Sequence, residues 1–171
     1  TLTLILLAGL GSIIYFRILK LNQIQFEDKM ENTIRMTDDL MKAHFESIRT
    51  SLNTIAELEL VRRSDENITS YVNLTDPSGK VAMKPMEASP YEAEVYLMAK
   101  DFVQQHAEIL GVSVSLQSNG SFVRYPEEPR ANNYDSRVRS WYKAAVAAGG
   151  KVNFSSAYTT SAGEMCIVAS R

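Results

Sequence analysis

The apolar positions of the chain begin with an uninterrupted stretch, 1–16, that contains no charged residue. As an α-helix this stretch would be about 24 Å long, a few residues short of the hydrocarbon core of a bilayer. The residues that follow, 17–21, show no small-residue pattern of the kind that ends a secretory signal peptide. The pattern therefore predicts a transmembrane helix that the chain contains in part, with a buried core helix as the alternative.

From residue 22 to residue 63 the chain contains no proline and no glycine, and its apolar residues recur mostly at steps of three and four. This is the period of an amphipathic helix, here continuous with the apolar stretch before it. The apolar stripe consists of Met30, Ile34, Met41, Phe45, Ile48, Leu52 and Ile55, with Thr37 in its polar gap. The stripe can pack on the protein's own sheet or on the same helix of a second subunit, and the pattern leaves both open.

The segment 64–89 is interrupted by prolines and a glycine, so only a short helix near 68–74 is predicted before a loop. A second helix is predicted to begin at Ser89, because this serine can cap the helix and Glu92 completes a capping box. His106 falls on the buried stripe of this helix, where a core or boundary histidine is expected rather than a ligand.

After Gly111 the apolar period changes to two, which is the period of a strand. Asn119-Gly120 between two alternating runs is a strong signal for a β-hairpin. The remaining predicted elements are a polar loop over 126–137, a helix over 140–148 and strand-like runs over 152–158 and 164–169. This order of elements predicts the α+β class with an antiparallel sheet.

Composition narrows the function mainly by exclusion. Eighteen basic and twenty acidic side chains give a net charge of −2, which argues against a nucleic-acid binder or a polybasic membrane-surface protein. A single cysteine, Cys166, and two histidines, His44 and His106, leave little material for a disulfide framework or a metal centre. The sequence has no nucleophile–base order, phosphate-binding glycine loop or metalloprotease motif, so we expect neither enzymatic activity nor a cofactor.

The segment 122–151 contains more basic than acidic residues, although the whole chain has a net negative charge. This local positive charge favours an anionic ligand group nearby. Its basic residues are Arg124, Arg130, Arg137, Arg139, Lys143 and Lys151, and its acidic residues are Glu127, Glu128 and Asp135. Arg139 with Trp141 and Tyr142 would give a small concave site that holds one carboxylate. In the alternative, Arg139 pairs with an acidic surface group while the two aromatic residues anchor a helix.

The run 134–145, Tyr-Asp-Ser-Arg-Val-Arg-Ser-Trp-Tyr-Lys-Ala-Ala, resembles the signature of double Cache sensor domains. The stretch 120–126 is similar to the hairpin that precedes this signature, and 150–152 with 157–158 looks like the strand that follows it. The family fold is a long helix that flanks two stacked PAS-like modules. By this resemblance the chain would contain the helix and most of the membrane-distal module, and we expect it to be truncated at both ends.

The resemblance extends to the branch of the family that binds amino acids. The positions that match this branch in type and spacing are Tyr134, Arg139, Trp141, Tyr142 and Tyr158. It implies that Arg139 and Trp141 contact the ligand carboxylate, and that the tyrosines mainly contact its ammonium. Thr160 stands where the branch has an aspartate, and threonine has no negative charge to pair with an ammonium. A carboxylate without an α-amine, or another small anion, therefore stays open beside an amino acid.

The resemblance implies three parts and a function. The parts are a transmembrane helix (1–16), a long signalling and dimer helix (17–63) and a PAS-like membrane-distal module (64–171). The function would be extracytoplasmic sensing of a small anionic metabolite by a homodimeric, chemoreceptor-like membrane receptor, with the sensor periplasmic or extracellular. The alternatives are the sensor of a histidine kinase or cyclic-dinucleotide enzyme, and a ligand-free membrane-anchored dimerisation module.

Overall fold

The computed structural model describes residues 2–63, 67–160 and 163–171, with side chains from residue 7 onward except that of residue 8. The chain divides into two compact units, Thr1–Ser47 and Ile48–Arg171. Helix α1, Leu2–Glu57, supplies all described residues of the first unit and the beginning of the second. The long helix predicted from the apolar period is therefore confirmed, but it ends at Glu57 and not near residue 63, and the separate short helix Glu59–Arg62 follows it.

In the first unit the polar faces of α1 carry ion pairs between residues one turn apart. Arg35 donates to the Glu31 carboxylate at 2.7 Å, and Lys42 donates to the Asp38 carboxylate at 2.6 Å. Residues four apart lie on one helix face, so these pairs support the helix locally. The polar residues between the stripe positions thus favour the helix independently of tertiary packing.

The apolar residues of the first unit lie on its surface. Ile34 and Met41, two members of the predicted stripe, are 63% and 56% exposed. Across the described residues, no helix combines the length and the apolar character that crossing a membrane requires. The stretch for which a crossing was predicted, 1–16, has several of its side chains outside the described set.

The second unit contains four further helices and eight short strands among the described residues. The helices are α2 (Glu59–Arg62), α3 (Pro85–Ala88), α4 (Pro90–Gln105) and α5 (Ser140–Ala147), and a 3₁₀ turn covers Ser136–Val138. The strands are β1 (Lys80–Val81), β2 (Val112–Ser115), β3 (Phe122–Tyr125), β4 (Arg130–Ala131), β5 (Asn153–Phe154), β6 (Tyr158–Thr159), β7 (Met165–Cys166) and β8 (Ala169–Ser170). The α+β class predicted from the sequence is confirmed.

Strand pairing is antiparallel throughout the described residues. β1 pairs with β4, β2 with β3, β5 with β8 and β6 with β7, so the strands form four two-stranded ladders instead of one continuous sheet. The predicted hairpin is confirmed, with Val112 opposite Tyr125 and Ser115 opposite Phe122. An isolated antiparallel β-bridge between Ser70 and Ser121 places the segment around Ser70 beside the beginning of β3.

The segment 68–74 is not helical, and the prediction of a short helix there was wrong. Its backbone bonds to distant partners: the Thr69 carbonyl accepts from the Phe122 N–H at 3.0 Å, and the Ile68 carbonyl accepts from the Ser121 hydroxyl at 2.6 Å. These hydrogen bonds hold the segment in an extended conformation beside β3. Its carbonyl groups therefore accept from Ser121 and Phe122 and not from N–H groups of a local helix. The short helix α3 replaces the loop that was predicted after it.

Helix α4 begins as predicted but ends earlier than its apolar stripe suggests. The Ser89 hydroxyl accepts from the Glu92 N–H at 3.0 Å, which confirms the N-cap. The helix ends at Gln105, and His106 follows it with its ring stacked on Phe102 at 4.2 Å between centroids. His106 is half-buried, in agreement with the predicted boundary position.

The predicted capping box is only half formed, because the Glu92 side chain is used elsewhere. Thr69 donates both its backbone N–H and its hydroxyl to Oε2 of Glu92, each at 2.7 Å. Glu92 is fully buried, and it joins α4 to the extended segment that precedes β1. Glu92, which the capping-box motif assigned to the N-terminus of its own helix, therefore bonds to a residue distant in sequence.

This extended segment contributes to both hydrophobic cores of the second unit. Ile68 packs in one cluster with Val95, Tyr96 and Val123, against which β2 and the end of β3 also pack. The second cluster contains Tyr71, Met83, Phe122 and Tyr134, with Val81 and Trp141 packed on it. The segment between α2 and β1 thus connects the α4 side of the unit to the α5 side.

Replacing Glu92 with alanine tests this connection. We expect Glu92→Ala to lower the free energy of unfolding by about 2 kcal/mol or more, because the Thr69 N–H and hydroxyl both lose their acceptor. Urea unfolding followed by the fluorescence of Trp141, the one tryptophan of the chain, measures the change. Glu94→Ala, an exposed glutamate on the same helix, is the control. Equal effects of the two variants would contradict the assignment.

Candidate ligand-binding site

The turn of the β2–β3 hairpin supports the segment that resembles the sensor signature. Gly120 adopts a φ of +70°, in the left-handed region that glycine favours. A Cβ at this position would lie 2.8 Å from Val72 Cγ2 and 3.1 Å from both Asp135 Oδ1 and Arg137 Nε. Glycine is therefore required here for conformation and for space, and the turn lies directly against the side chains of the signature.

Asp135 and Arg137 form an internal ion pair beside this turn. The Arg137 Nε and Nη2 donate to Oδ1 and Oδ2 of Asp135, each at 2.9 Å, and the Arg137 backbone N–H donates to Oδ1 at 2.9 Å. These hydrogen bonds hold the pKa of the Asp135 carboxyl below its usual range. Arg137 also donates to the Gln117 carbonyl at 3.2 Å, so both residues are committed to structure.

Four of the predicted site residues lie together at the beginning of α5. The Tyr134 ring is buried against the Phe122 ring, with 5.2 Å between centroids, and the Arg139 guanidinium carbon lies 5.0 Å from the centre of the Tyr134 ring. Trp141 is half-buried with its ring 6.3 Å from that of Phe122, and its ring meets the Tyr142 ring edge-on at 5.7 Å. We call these four residues (Tyr134, Arg139, Trp141, Tyr142) the α5 cluster.

Two residues that the sequence did not single out complete the surroundings of the α5 cluster. Gln117 accepts a hydrogen bond from the Tyr142 hydroxyl at 2.6 Å, and burial raises the pKa of this tyrosine. The Arg130 guanidinium carbon lies 5.5 Å from the centre of the Tyr134 ring and 5.3 Å from that of Phe122. No sequence motif marks Gln117, and Arg130 was counted only as a charge.

The other two predicted site residues, Tyr158 and Thr160, lie on the β6–β7 hairpin. A hydrogen bond with the Cys166 thiol and partial burial raise the pKa of Tyr158, which is nevertheless 47% exposed. The Thr160 hydroxyl accepts from the Glu164 N–H at 3.2 Å and so stabilises the hairpin turn. Within 67–160 and 163–171, no hydrogen bond, ion pair or ring contact joins either residue to the α5 cluster.

Ion pairing divides the basic residues of 122–151 into two groups. Glu128 pairs with Arg130 at 2.9 Å and with Arg124 at 3.2 Å, and Asp135 pairs with Arg137. In the described part of the chain, Arg139, Lys143 and Lys151 have no ion-pair partner. The positive surplus therefore resides mainly on these three exposed side chains, of which Arg139 contacts the Tyr134 ring.

Two open cavities of the described chain lie away from the α5 cluster. One, of about 350 Å³, lies between α1 and α4 and is lined by Thr50, Ser51, Thr54, Ile55, Leu58, Met98, Phe102 and Gln105. The other, of about 420 Å³, is a depression on the surface of α1 within Gln25–Met36. Among the described residues, no group of three or more His, Cys, Asp or Glu side chains could hold a metal ion.

Comparison with known proteins gives no further guide to this site, since no family model and no curated protein matches the chain. The function is accordingly argued from the contacts and charges of the α5 cluster.

The Asp135–Arg137 pair predicts a pH dependence of stability. Because the folded pKa of Asp135 lies below that of the unfolded chain, about 3.9, its charge stabilises the fold above that pH and loses this effect as the pH falls through the folded value. We expect Asp135→Asn to lower the Tm at neutral pH and to differ progressively less from the parent chain as the pH falls through the folded pKa of Asp135. Thermal unfolding at several pH values measures this difference.

Asp101→Asn is the matched control for this measurement, because Asp101 is an exposed carboxylate on α4. We expect it to leave the Tm close to that of the parent chain at every pH. A Tm deficit of Asp135→Asn that stayed constant from neutral to acid pH would show that charge is not the origin of the effect.

Proposed function

We propose that the chain is the ligand-sensing region of a transmembrane signalling receptor of the double Cache type, chemoreceptor-like in its output. In this proposal 1–16 belongs to the membrane anchor, 17–63 is the signalling and dimer helix, and 64–171 belongs to the PAS-like module. The ligand is a small carboxylate-bearing metabolite that binds at Arg139. The observation that carries the proposal is an exposed guanidinium that rests on a buried tyrosine and pairs with no described carboxylate.

The surroundings of Arg139 suit a carboxylate. A guanidinium presents several N–H donors in one plane and can bind both oxygens of a carboxylate at once. Contact with the Tyr134 ring restricts the side chain before the ligand arrives, which reduces the entropy lost on binding. Trp141 and Tyr142 provide apolar area with polar groups at its edge, as is typical of small-molecule sites.

The same unit contains a route from this site to α1. Helix α5 packs against β8, and Arg171 after β8 donates to the Glu57 carboxylate at 2.5 Å and to the Asn53 carbonyl at 3.2 Å. Arg49 of α1 donates to the Val152 carbonyl at 3.2 Å, directly before β5. If helix α5 can adopt two positions and the ligand binds one of them more tightly, the ligand shifts α5 toward that position. These contacts would then pass the shift to α1.

The decisive experiment is a thermal-shift screen of the whole chain in a non-ionic detergent against amino acids, other small carboxylates, amines and purines. We expect a carboxylate to raise the Tm, since a ligand at a hundred times its Kd stabilises by roughly 2.7 kcal/mol. Arg139→Ala should weaken the binding of this compound by about 30-fold or more, because the ion pair is lost.

Arg63→Ala is the control for this experiment, since Arg63 is an exposed arginine of the same unit. We expect this variant to bind as the parent chain does, and Arg139→Lys to retain part of the affinity. Equal affinity of Arg139→Ala and the parent chain would refute the site.

A second candidate function is a membrane-anchored dimerisation module that binds no ligand. The observation that favours it is the exposed stripe of α1, on which Met30, Ile34 and Met41 are 47%, 63% and 56% exposed. Such a stripe with a heptad-like repeat is typical of a helix that packs on a second helix. The two functions are compatible, because a receptor dimer would use the same stripe.

An aspartate in the stripe tests this helix contact. We expect Ile34→Asp to raise the dimer dissociation constant at least about 10-fold, because a charge would be buried at the seam. Sedimentation equilibrium of the chain in detergent measures the constant. Asn32→Asp, which places the same charge on the other side of the helix, should leave the constant unchanged. Equal dimer dissociation constants for the two variants would show that the dimer contact does not involve the stripe at Ile34.

A further inference from the structure

We infer that the ligand of the α5 cluster is a carboxylate that has no ammonium group, and not an amino acid. This inference rests on the proposed function, since it names the chemical class of the ligand at the same site. The inference depends on whether any carboxylate or aromatic ring near Arg139 is free to bind an ammonium group.

The carboxylates of 122–151 are each engaged by a partner within the protein. Glu127 accepts from the Tyr96 hydroxyl, and this hydrogen bond lowers the pKa of its carboxyl group. Glu128 and Asp135 are neutralised by the arginines described above. Within 122–151, an α-ammonium would therefore find only carboxylates that already accept hydrogen bonds from other groups of the protein.

The aromatic ring that would bind an ammonium is also occupied. The resemblance assigns the tyrosines, Tyr134 among them, mainly to the ligand ammonium, and a tyrosine can bind a cation over its ring face. Two guanidinium groups already lie against this ring, Arg139 at 5.0 Å and Arg130 at 5.5 Å from its centre. A third cation near the ring would be repelled by both arginines.

The position that would supply the missing negative charge is neutral. Thr160 stands there, and its hydroxyl already accepts from the Glu164 N–H. The Glu164 carboxylate itself is exposed on the same turn, and no described contact joins it to the α5 cluster. Arg139 and Lys143, by contrast, are cations at the beginning of α5 that have no ion-pair partner among the described residues. The local balance favours a ligand that is purely anionic.

Matched pairs of compounds that differ only by the amino group test the inference. The pairs are aspartate and succinate, glutamate and glutarate, alanine and propionate, and phenylalanine and 3-phenylpropionate. Binding of each compound to the full chain in non-ionic detergent is measured by calorimetry, and again with Arg139→Ala. We expect the compound without the amine to bind at least about 10-fold more tightly in the pair that fits best, and Arg139→Ala to weaken this binding by about 30-fold or more.

The possible outcomes separate the two proposals. If the amino acid of a pair binds more tightly and depends on Arg139, the inference is overturned while the proposed function stands. If no compound binds in an Arg139-dependent way, the proposed function fails and the inference fails with it.

Discussion

The hydrogen bonds between Thr69 and Glu92 are the constraint on which the second unit depends. They commit a fully buried carboxylate to an extended segment that has no regular structure of its own. That segment places Ile68 in one hydrophobic cluster and Tyr71 in the other, and its carbonyls accept from β3 and the turn before it. Without these hydrogen bonds, the extended segment would no longer be held between α4 and β3.

The α5 cluster depends on the same anchor through Phe122. The Phe122 N–H is held by the Thr69 carbonyl, and the Phe122 ring contacts Tyr134 and Trp141, which lie on either side of Arg139 in sequence. The chain on either side of Arg139 is thereby held by packing on the second hydrophobic cluster, although the arginine itself is exposed. A site whose aromatic floor belongs to the core binds its ligand with little reorganisation, which favours affinity.

Local signals account for the parts of this structure that the sequence predicts. The cap at Ser89, the Asn119-Gly120 turn and the apolar period of α1 each act within a few residues, and each element appears where expected. The extended course of 68–74 depends on partners more than twenty residues away, and no local pattern contains that information.

The same distinction applies to the candidate site. The sequence predicts the grouping of Arg139, Trp141 and Tyr142 from their short spacing at the beginning of α5, whereas Tyr134 is predicted there only through the resemblance. Which charges remain available could not be predicted, because it depends on the pairs that Glu128 and Asp135 make in the folded chain. A count of basic residues over 122–151 overstates the positive charge that a ligand would meet.

In the proposed function, the contact with the Tyr134 ring favours anion binding at Arg139. An exposed cation–π contact is worth roughly 0.5–1 kcal/mol, whereas hydrogen bonds to a charged group are worth about 1.5–3 kcal/mol. The two do not compete, because the ring attracts the charge of the guanidinium while the N–H donors remain at its edge. An anion that binds these donors would hold the residue that begins α5, and α5 packs on β8 beside the Arg171 contacts to α1. In the proposed function, the group that binds the ligand is thus joined to the helix that would carry the signal, with α5 and β8 as the intermediate elements.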